Sequence, residues 1–416
     1  MDTSRLPDWD LIVVGGGAAG FFGAIAAAEH AASSMRILIL EQGRDVLNKV
    51  RISGGGRCNV THAEFDPNEL VRYYPRGERE LRGPFHKFGP GDTMDWFEQQ
   101  GVSLKIEDDN RVFPCSDDSD SIVTALQNAR ARLGIQLQTG TKVTGVVPQN
   151  SGWQVQTKTS SLSAKHVLLA SGSTPSAYKW LAKLGIDLVD AVPSLFTFKV
   201  DEAQLHALAG ISVTEAQVKL PASKVITRGP LLVTHWGMSG PAILRASAEA
   251  AISLHALDYK TSFGVSWTHS TVDEALEYLR VAKAKVGSQS MAFNTGLPLP
   301  KRLWLYLLDR ASIPSTTRWA DLTRKDLSRL ATTLADDTYL MTGQSRYKAE
   351  FVTAGGIDLK AMDMRTFAVK AHPGLYAAGE LLNIDGVTGG FNFQAAWTGA
   401  HLAGRAIAAS LSGEQS

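Results

Sequence analysis

The sequence predicts an α/β fold: a nucleotide-binding domain on a parallel sheet, discontinuous in the chain, with a β-rich and helical domain inserted into it. Three observations predict it. A short apolar strand near the N-terminus runs into a glycine-rich turn and a small-residue helix. Strands ending in glycine recur near residue 170 and again near the C-terminus. Between the last two, the pattern changes to short alternating segments.

Asp10-Leu11-Ile12-Val13-Val14 is apolar and β-branched, as a strand covered on both faces would be. Gly15, Gly17 and Gly20 then form G-x-G-x-x-G, and a helix is predicted from about Ala18 to His30. A second apolar strand, Ile37 to Leu40, ends in Glu41. Each part has a job: Gly15 allows the tight turn, Gly17 lets a pyrophosphate approach the backbone, and Gly20 lets helix and strand pack closely. The helix N-terminus offers N–H groups to phosphates, and Glu41 stands where a carboxylate would accept from a ribose diol. Ala19 and Gln42 complete this predicted cofactor-binding set. Strand, turn, helix, strand and acid in register are the signature of a Rossmann-like domain, but they do not separate NAD from FAD.

The run Leu11–Ala28 imitates a signal peptide or membrane span. Its glycines carry the motif above, and Asp2, Asp8 and Asp10 stand where a signal peptide has basic residues. A soluble, cytoplasmic protein with no membrane partner is expected. Two cysteines, Cys58 and Cys115, make no disulfide framework and fit a reducing compartment. Lys and Arg number 42 against 41 Asp and Glu, for a net charge of +1, which excludes a global basic field but not a local basic patch.

The next block is Lys49-Val50-Arg51-Ile52-Ser53-Gly54-Gly55-Gly56-Arg57-Cys58-Asn59. Successive glycines expose backbone N–H groups as an anion nest, and Arg57 adds a fork of donors. His166–Ala170 is a strand leading to Ser171-Gly172, and Gly374–Ala378 is a strand leading to Gly379-Glu380. Asp385-Gly386-Val387-Thr388-Gly389-Gly390-Phe391-Asn392 then enters a helix expected from about Phe393 to Ser410.

With Arg111–Pro114, Thr234–Ala242 and Thr353–Gly356, these blocks make the chain resemble the BaiN/RdsA-like family of FAD-dependent oxidoreductases over nearly its whole length. The resemblance implies FAD as cofactor, with NAD(P)H as a transient electron donor. It implies cofactor contacts at Ser53, Gly54, Gly55, Arg57, Cys58, Asn59, Val143, Ala170, Ser171, Gly172, Gly379, Glu380, Gly389, Gly390, Phe391 and Asn392. Glu380 would hold the ribityl chain, and the last helix would aim its N-terminus at the flavin N1–C2=O edge. His62, Ser171 and Glu380 stand where the family usually has Asn, Thr and Asp. The activity implied is reduction of an unsaturated substrate, either a uracil in ribosomal RNA to dihydrouridine or a small steroid-like enoyl compound. A small-molecule or amine oxidase and a flavin-holding scaffold are the alternatives.

Lys49, Arg57 and His235 are the catalytic candidates, with Lys49 or His235 assisting protonation; a histidine shaping a domain junction is the plainer reading of His235. Cys58 reads as a structural thiol, with a redox or nucleophilic role as the alternative. Arg72, Tyr73, Tyr74, Arg76, Arg79 and Arg82 form a basic–aromatic run that suits RNA or, equally, a solvated helix face over core tyrosines. No metal-ligand spacing appears, nor a second G-x-G-x-x-G for a separate NAD(P)H domain.

The predicted domains are 1–190 with 346–416, and an insert over 191–345. Within the first, a helix is expected near Asp120–Leu133 and strands around Ile135–Val147, Trp153–Thr157 and Val167–Ala170. Within the insert, strands are expected at Phe196–Val200, Val213–Leu220, Lys224–Thr227 and Ser262–Thr268, making a small antiparallel sheet or barrel. Thr271-x-x-Glu274 and Thr323-x-x-Asp326 predict helix starts, and Leu303–Leu308 a buried helix.

Overall fold

A computed structural model describes residues 8–293, 296–344 and 352–413. They fall into two compact units, one holding the chain as far as Ala191 and again from Val352, the other the stretch beginning at Val192. The return point expected near 346 lies outside the described residues.

In the first unit, β1 (Trp9–Val14) sits at the centre of a parallel sheet. It pairs with β2 (Ile37–Leu40) on one side, which in turn pairs with β3 (Gln136–Gln138). On the other side lie β4 (Ser161–Leu169) and then β5 (Leu375–Ala377). Leu11, Ile12, Val13 and Ile39 are fully buried, which is why these strands read as unbroken apolar runs. The expected strand around Ile135–Val147 is in fact two: β3, and Val143–Gln149 in an antiparallel meander with Gly152–Thr157 and β4. Gly140, left-handed at φ +64°, turns the chain between them.

Helix α1 (Ala18–His30) packs along α2 (Phe391–Ser412), which is longer at both ends than the sequence suggested. Small residues make the approach possible. A methyl group at Gly404 would stand 2.6 Å from the Gly23 carbonyl oxygen and 2.7 Å from the Ala27 nitrogen. Phe22 fills the space beside this contact, edge-on to Trp96 at 4.8 Å and to Phe88 at 5.7 Å.

His401 of α2 stacks on Phe88 at 4.1 Å. Burial, then the His30 and Arg405 charges, push its pKa down to about 3; burial and Lys165 push His166 down to about 4. Both titrate near ~6.5 when unfolded, so the unfolded chain takes up these protons first as pH falls. Their stabilisation is complete above ~6.5 and is lost below it, until the folded groups themselves titrate near 4 and 3. At about 1.4 kcal/mol per pH unit and group, going from about pH 7.5 to about pH 5 is expected to cost roughly 4 kcal/mol. Urea midpoints across that range test it, and His401→Phe should flatten the slope by about half.

Among the described residues the second unit holds a seven-stranded antiparallel sheet. Its strands run Asp337–Met341, Thr261–Ser266, Ser212–Leu220, Val225–Thr234, Gly237–Ser239, Phe198–Lys199 and Gly343–Gln344 in spatial order. Helices Val272–Val286, Lys301–Arg310 and Arg324–Ala335 belong to the same core, through Leu279, Leu303, Trp304 and Leu330. Both expected helix starts are reciprocal capping boxes, Thr271 with Glu274 and Thr323 with Asp326.

Candidate cofactor site

The turn after β1 shows what each glycine does. Gly15 has φ +118°, and a methyl group there would stand 2.3 Å from the Ala170 carbonyl oxygen. At Gly20 it would stand 1.9 Å from the Gly15 carbonyl oxygen. Around Gly17, nothing lies within 4 Å of the same position. Two glycines are therefore required by the protein's own packing, and the third faces open space at the start of α1. That helix has no side-chain cap and no acid in its first turn, so its N-terminal N–H groups suit an anion.

Glu41 sits in the same turn. Its two carboxylate oxygens accept from the Gly16 and Gly43 N–H groups, each at 2.7 Å. The backbone thus orients the acid, and each oxygen keeps lone-pair capacity for a diol. Ala19 is buried and Gln42 exposed.

The Ser53–Asn59 loop follows a short helix, Asn48–Ile52. Gly54, Gly55 and Gly56 are all left-handed, at φ +57°, +69° and +88°. Gly55 and Gly56 face open space, whereas a methyl group at Gly54 would press on the Asn59 nitrogen and the Phe113 ring. The Ser53 hydroxyl donates to the Val50 carbonyl at 2.8 Å. Cys58 is fully buried and burial pushes its thiol up to about 12, which leaves no thiolate at neutral pH. The buried Asn59 amide donates to the Thr61 carbonyl at 2.9 Å and accepts from the Gly390 N–H at 3.0 Å, tying the loop to the N-terminus of α2. The Arg57 guanidinium lies 3.9 Å over the Phe113 ring and donates to Glu107 at 2.6 Å.

At the C-terminal ends of β4 and β5 the other blocks converge. The Ala170 N–H donates to the Val14 carbonyl at 2.9 Å, which seats the Ser171-Gly172 turn beside β1. Glu380 has a carboxylate oxygen 3.8 Å from where a Gly172 methyl would be, and it pairs with the Lys49 ammonium. Gly379 is left-handed and backs onto Ala19. Gly389 and Gly390 are left-handed, and a methyl at Gly390 would strike the Thr61 carbonyl. The Asn392 amide is occupied by the backbone of Gly386, accepting at 2.9 Å and donating at 3.0 Å. Phe391 is buried, with Tyr73 stacked on it at 4.4 Å and His62 tilted against it at 4.5 Å. His62 Nδ1 donates to the Gly389 carbonyl at 3.2 Å.

The structure thus gathers Gly15, Gly17, Gly20, Glu41, Ser171, Gly172 and Glu380 at the C-terminal ends of neighbouring parallel strands, where such sheets bind ligands. It joins the Ser53–Asn59 and Gly389–Asn392 blocks through Asn59. Val143 is buried at the start of the meander, paired with Thr157. His235 stands in the second unit, exposed with Trp236 on the turn between Val225–Thr234 and Gly237–Ser239. Among the described residues no helix is long and apolar enough to cross a membrane. The donor set fits FAD: open glycines at Gly17 and Gly55–Gly56, an uncapped helix end that suits an anion, and a carboxylate, Glu41, oriented by backbone N–H groups.

Tyr178 carried no sequence signal. It lines a recess of about 320 Å³ with Ser173, Leu188 and Asp190. Its hydroxyl is closed off and has no hydrogen-bond partner among the described residues, and burial together with the Glu380 charge pushes its pKa up to about 12. An unpaired buried hydroxyl costs about 1–3 kcal/mol. Tyr178→Phe should therefore raise the thermal midpoint of the ligand-free protein; a lower midpoint would show the hydroxyl to be satisfied.

Residues 9–406 match the family model described as the HI0933-like protein Rossmann domain. The chain is 26% identical over 408 residues to the ribosomal RNA dihydrouridine synthase of Escherichia coli, covering 94% of this chain and 96% of that one. It is 27% identical over 421 residues to the 3-dehydro-bile acid delta(4,6)-reductase of Clostridium scindens, covering 95% and 98%. The fold is like that of 3-ketosteroid-delta4-(5alpha)-dehydrogenase from Rhodococcus jostii, with a TM-score of 0.52, 14% identity and 98% of each chain covered.

Proposed function

The chain belongs to the HI0933-like Rossmann family, and from that premise we propose that it is an FAD-dependent oxidoreductase that reduces a carbon–carbon double bond with electrons from NAD(P)H. One observation carries the reading: of the three motif glycines, Gly17 is the one where an added methyl would meet none of the described residues beyond its chain neighbours, leaving room for a pyrophosphate at the start of α1. Gly15, Gly17, Ala19, Gly20, Glu41 and Gln42 hold the nucleotide half. Ser53, Gly54, Gly55, Cys58 and Asn59, then Val143, Ala170, Ser171, Gly172, Gly379, Glu380, Gly389, Gly390, Phe391 and Asn392, surround the rest. FAD, when bound, supplies the hydride-transferring ring.

The names of the two relatives share a chemistry. Dihydrouridine arises from a uracil whose C=C bond is conjugated to a carbonyl, and a 3-dehydro-delta(4,6) compound has ring double bonds conjugated to its 3-oxo group. The substrate class proposed is therefore an alkene conjugated to a carbonyl. A uracil of ribosomal RNA leads, supported by the name of the Escherichia coli relative and of another in Haemophilus influenzae, 25% identical over 416 residues. Addition of a hydride to one carbon requires a proton at the other. Lys49, an exposed ammonium held against Glu380, is the proposed source, with His235 the alternative.

The test is the visible spectrum of the purified protein, then anaerobic addition of NADH and NADPH. Yellow protein that bleaches supports cofactor and donor, after which ribosomal RNA and a 3-oxo-4,6-diene are screened as acceptors. Yellow protein that stays yellow removes the donor and favours an oxidase or a scaffold. Colourless protein that cannot take up FAD removes the cofactor.

A further inference from the structure

We propose that Arg57 is a positioning residue: it clamps the Ser53–Asn59 loop onto the neighbouring hairpin and touches neither cofactor nor substrate. The inference rests on the reading of that loop as part of the FAD site.

Three consecutive left-handed glycines are a liability in a binding loop. Glycine loses more conformational freedom on ordering than any other residue, so a loose loop must surrender it when ligand arrives. The chain orders this loop beforehand. The Phe113 ring is fully buried, with Gly54 against one of its ring atoms and the Arg57 guanidinium 3.9 Å from its centre. The same guanidinium nitrogen donates to Glu107 at 2.6 Å and lies 3.4 Å from Asp117.

These acids are held from their far sides. Lys105 pairs with Asp117 at 2.5 Å, and Arg111 with Glu107 at 3.4 Å. Glu107 sits between the paired strands Leu104–Ile106 and Arg111–Pro114. Its backbone N–H donates to the Arg111 carbonyl at 2.9 Å, so the acceptor for Arg57 is itself fixed. The loop backbone is tied as well. The Ser119 N–H donates to the Gly56 carbonyl at 2.9 Å and the Ser119 hydroxyl to the Arg51 carbonyl at 2.8 Å. Gly55 and Gly56 stay open while Gly54 and Arg57 on either side are engaged. The guanidinium's stacking face and part of its donor fork are thus spent on the hairpin, and the backbone of the two open glycines is what the loop presents to a ligand.

The two roles predict opposite signs for one substitution. If Arg57 positions the loop, Glu107→Gln loosens it, as Arg57→Met does. If Arg57 instead contacts an anionic part of the cofactor or substrate, Glu107→Gln frees it, and binding stays equal or tightens. The experiment is FAD titration of the cofactor-stripped protein by flavin fluorescence, for wild type, Arg57→Met, Glu107→Gln, the double variant and Asp117→Asn. Hydrogen exchange of amides 53–59 is measured in the same proteins without FAD. Each single variant at 57 or 107 is expected to weaken FAD about tenfold, with the double variant no weaker than the worse single. Loop amides should exchange faster in both, and Asp117→Asn should be milder because its contact is longer. Additive losses, unchanged or tighter binding in Glu107→Gln, or loop exchange that ignores position 57 would each overturn the proposal. Wild-type protein that takes no FAD would instead overturn the cofactor reading, and the exchange measurement would still decide the clamp.

Discussion

Alanine at Gly17 is expected to weaken FAD binding by about a hundredfold or more while leaving the cofactor-free protein within about 1 kcal/mol of wild type. Alanine at Gly20 is expected to damage the protein itself. At Gly17 the backbone is extended, φ −90° and ψ −169°, and among the described residues nothing beyond its chain neighbours lies within 4 Å of a new methyl. Only a ligand seated on the turn would meet it. At Gly20 the methyl would stand 1.9 Å from a backbone oxygen, and α1 cannot retreat because Gly23 holds it against Leu168 and Ala400. Alanine is the better helix former by about 1 kcal/mol, but overpacking of roughly 3 kcal/mol or more outweighs that gain. Chemical denaturation without FAD, paired with FAD titration, separates the two effects. Gly17→Ala binding FAD like wild type would mean that the pyrophosphate lies elsewhere.

Asp385→Ala is expected to cost about 3–5 kcal/mol, enough to unfold a marginal domain, because it breaks a buried ion pair by removing one of its two members. Asp385 is fully buried, and both its oxygens pair with Arg76, which is 12% exposed. The pair pins the turn leading into α2. In the same place the Val387 N–H donates to the Tyr73 carbonyl at 2.9 Å and the Tyr74 hydroxyl to the Phe391 carbonyl at 2.7 Å. Arg72→Ala, which breaks only an exposed pair with Glu69 at 2.8 Å, should change stability by less than about 1 kcal/mol. Urea unfolding of the two variants side by side is the check, and equal stabilities would refute the buried-pair account. Of the basic–aromatic run, Arg76 and Tyr74 thus belong to the interior, while Arg72, Arg79 and Arg82 are exposed.

By itself the sequence determined whatever depends on near neighbours along the chain. The β1–α1–β2 unit, its three glycines and Glu41 were legible because strand, turn and helix preferences act over a few residues; α1 runs over the range its small residues predicted. The capping boxes of the second unit were legible for the same reason. Tertiary structure decided which groups meet. Nothing local in Arg57 says that Glu107 and Phe113 will take its guanidinium, or in Asn59 that Gly390 will be its donor. Lys49 reaches Glu380 across 331 residues, and Tyr178, without any motif, comes within range of the same acid's charge. Helix α2 begins at Phe391 rather than near Phe393 because Gly390, left-handed at φ +91° and pressed by the Thr61 carbonyl, forms its N-cap. Such partners are chosen by packing, since a buried polar group must find whichever donor or acceptor the folded chain brings within reach, however far apart the two are in sequence.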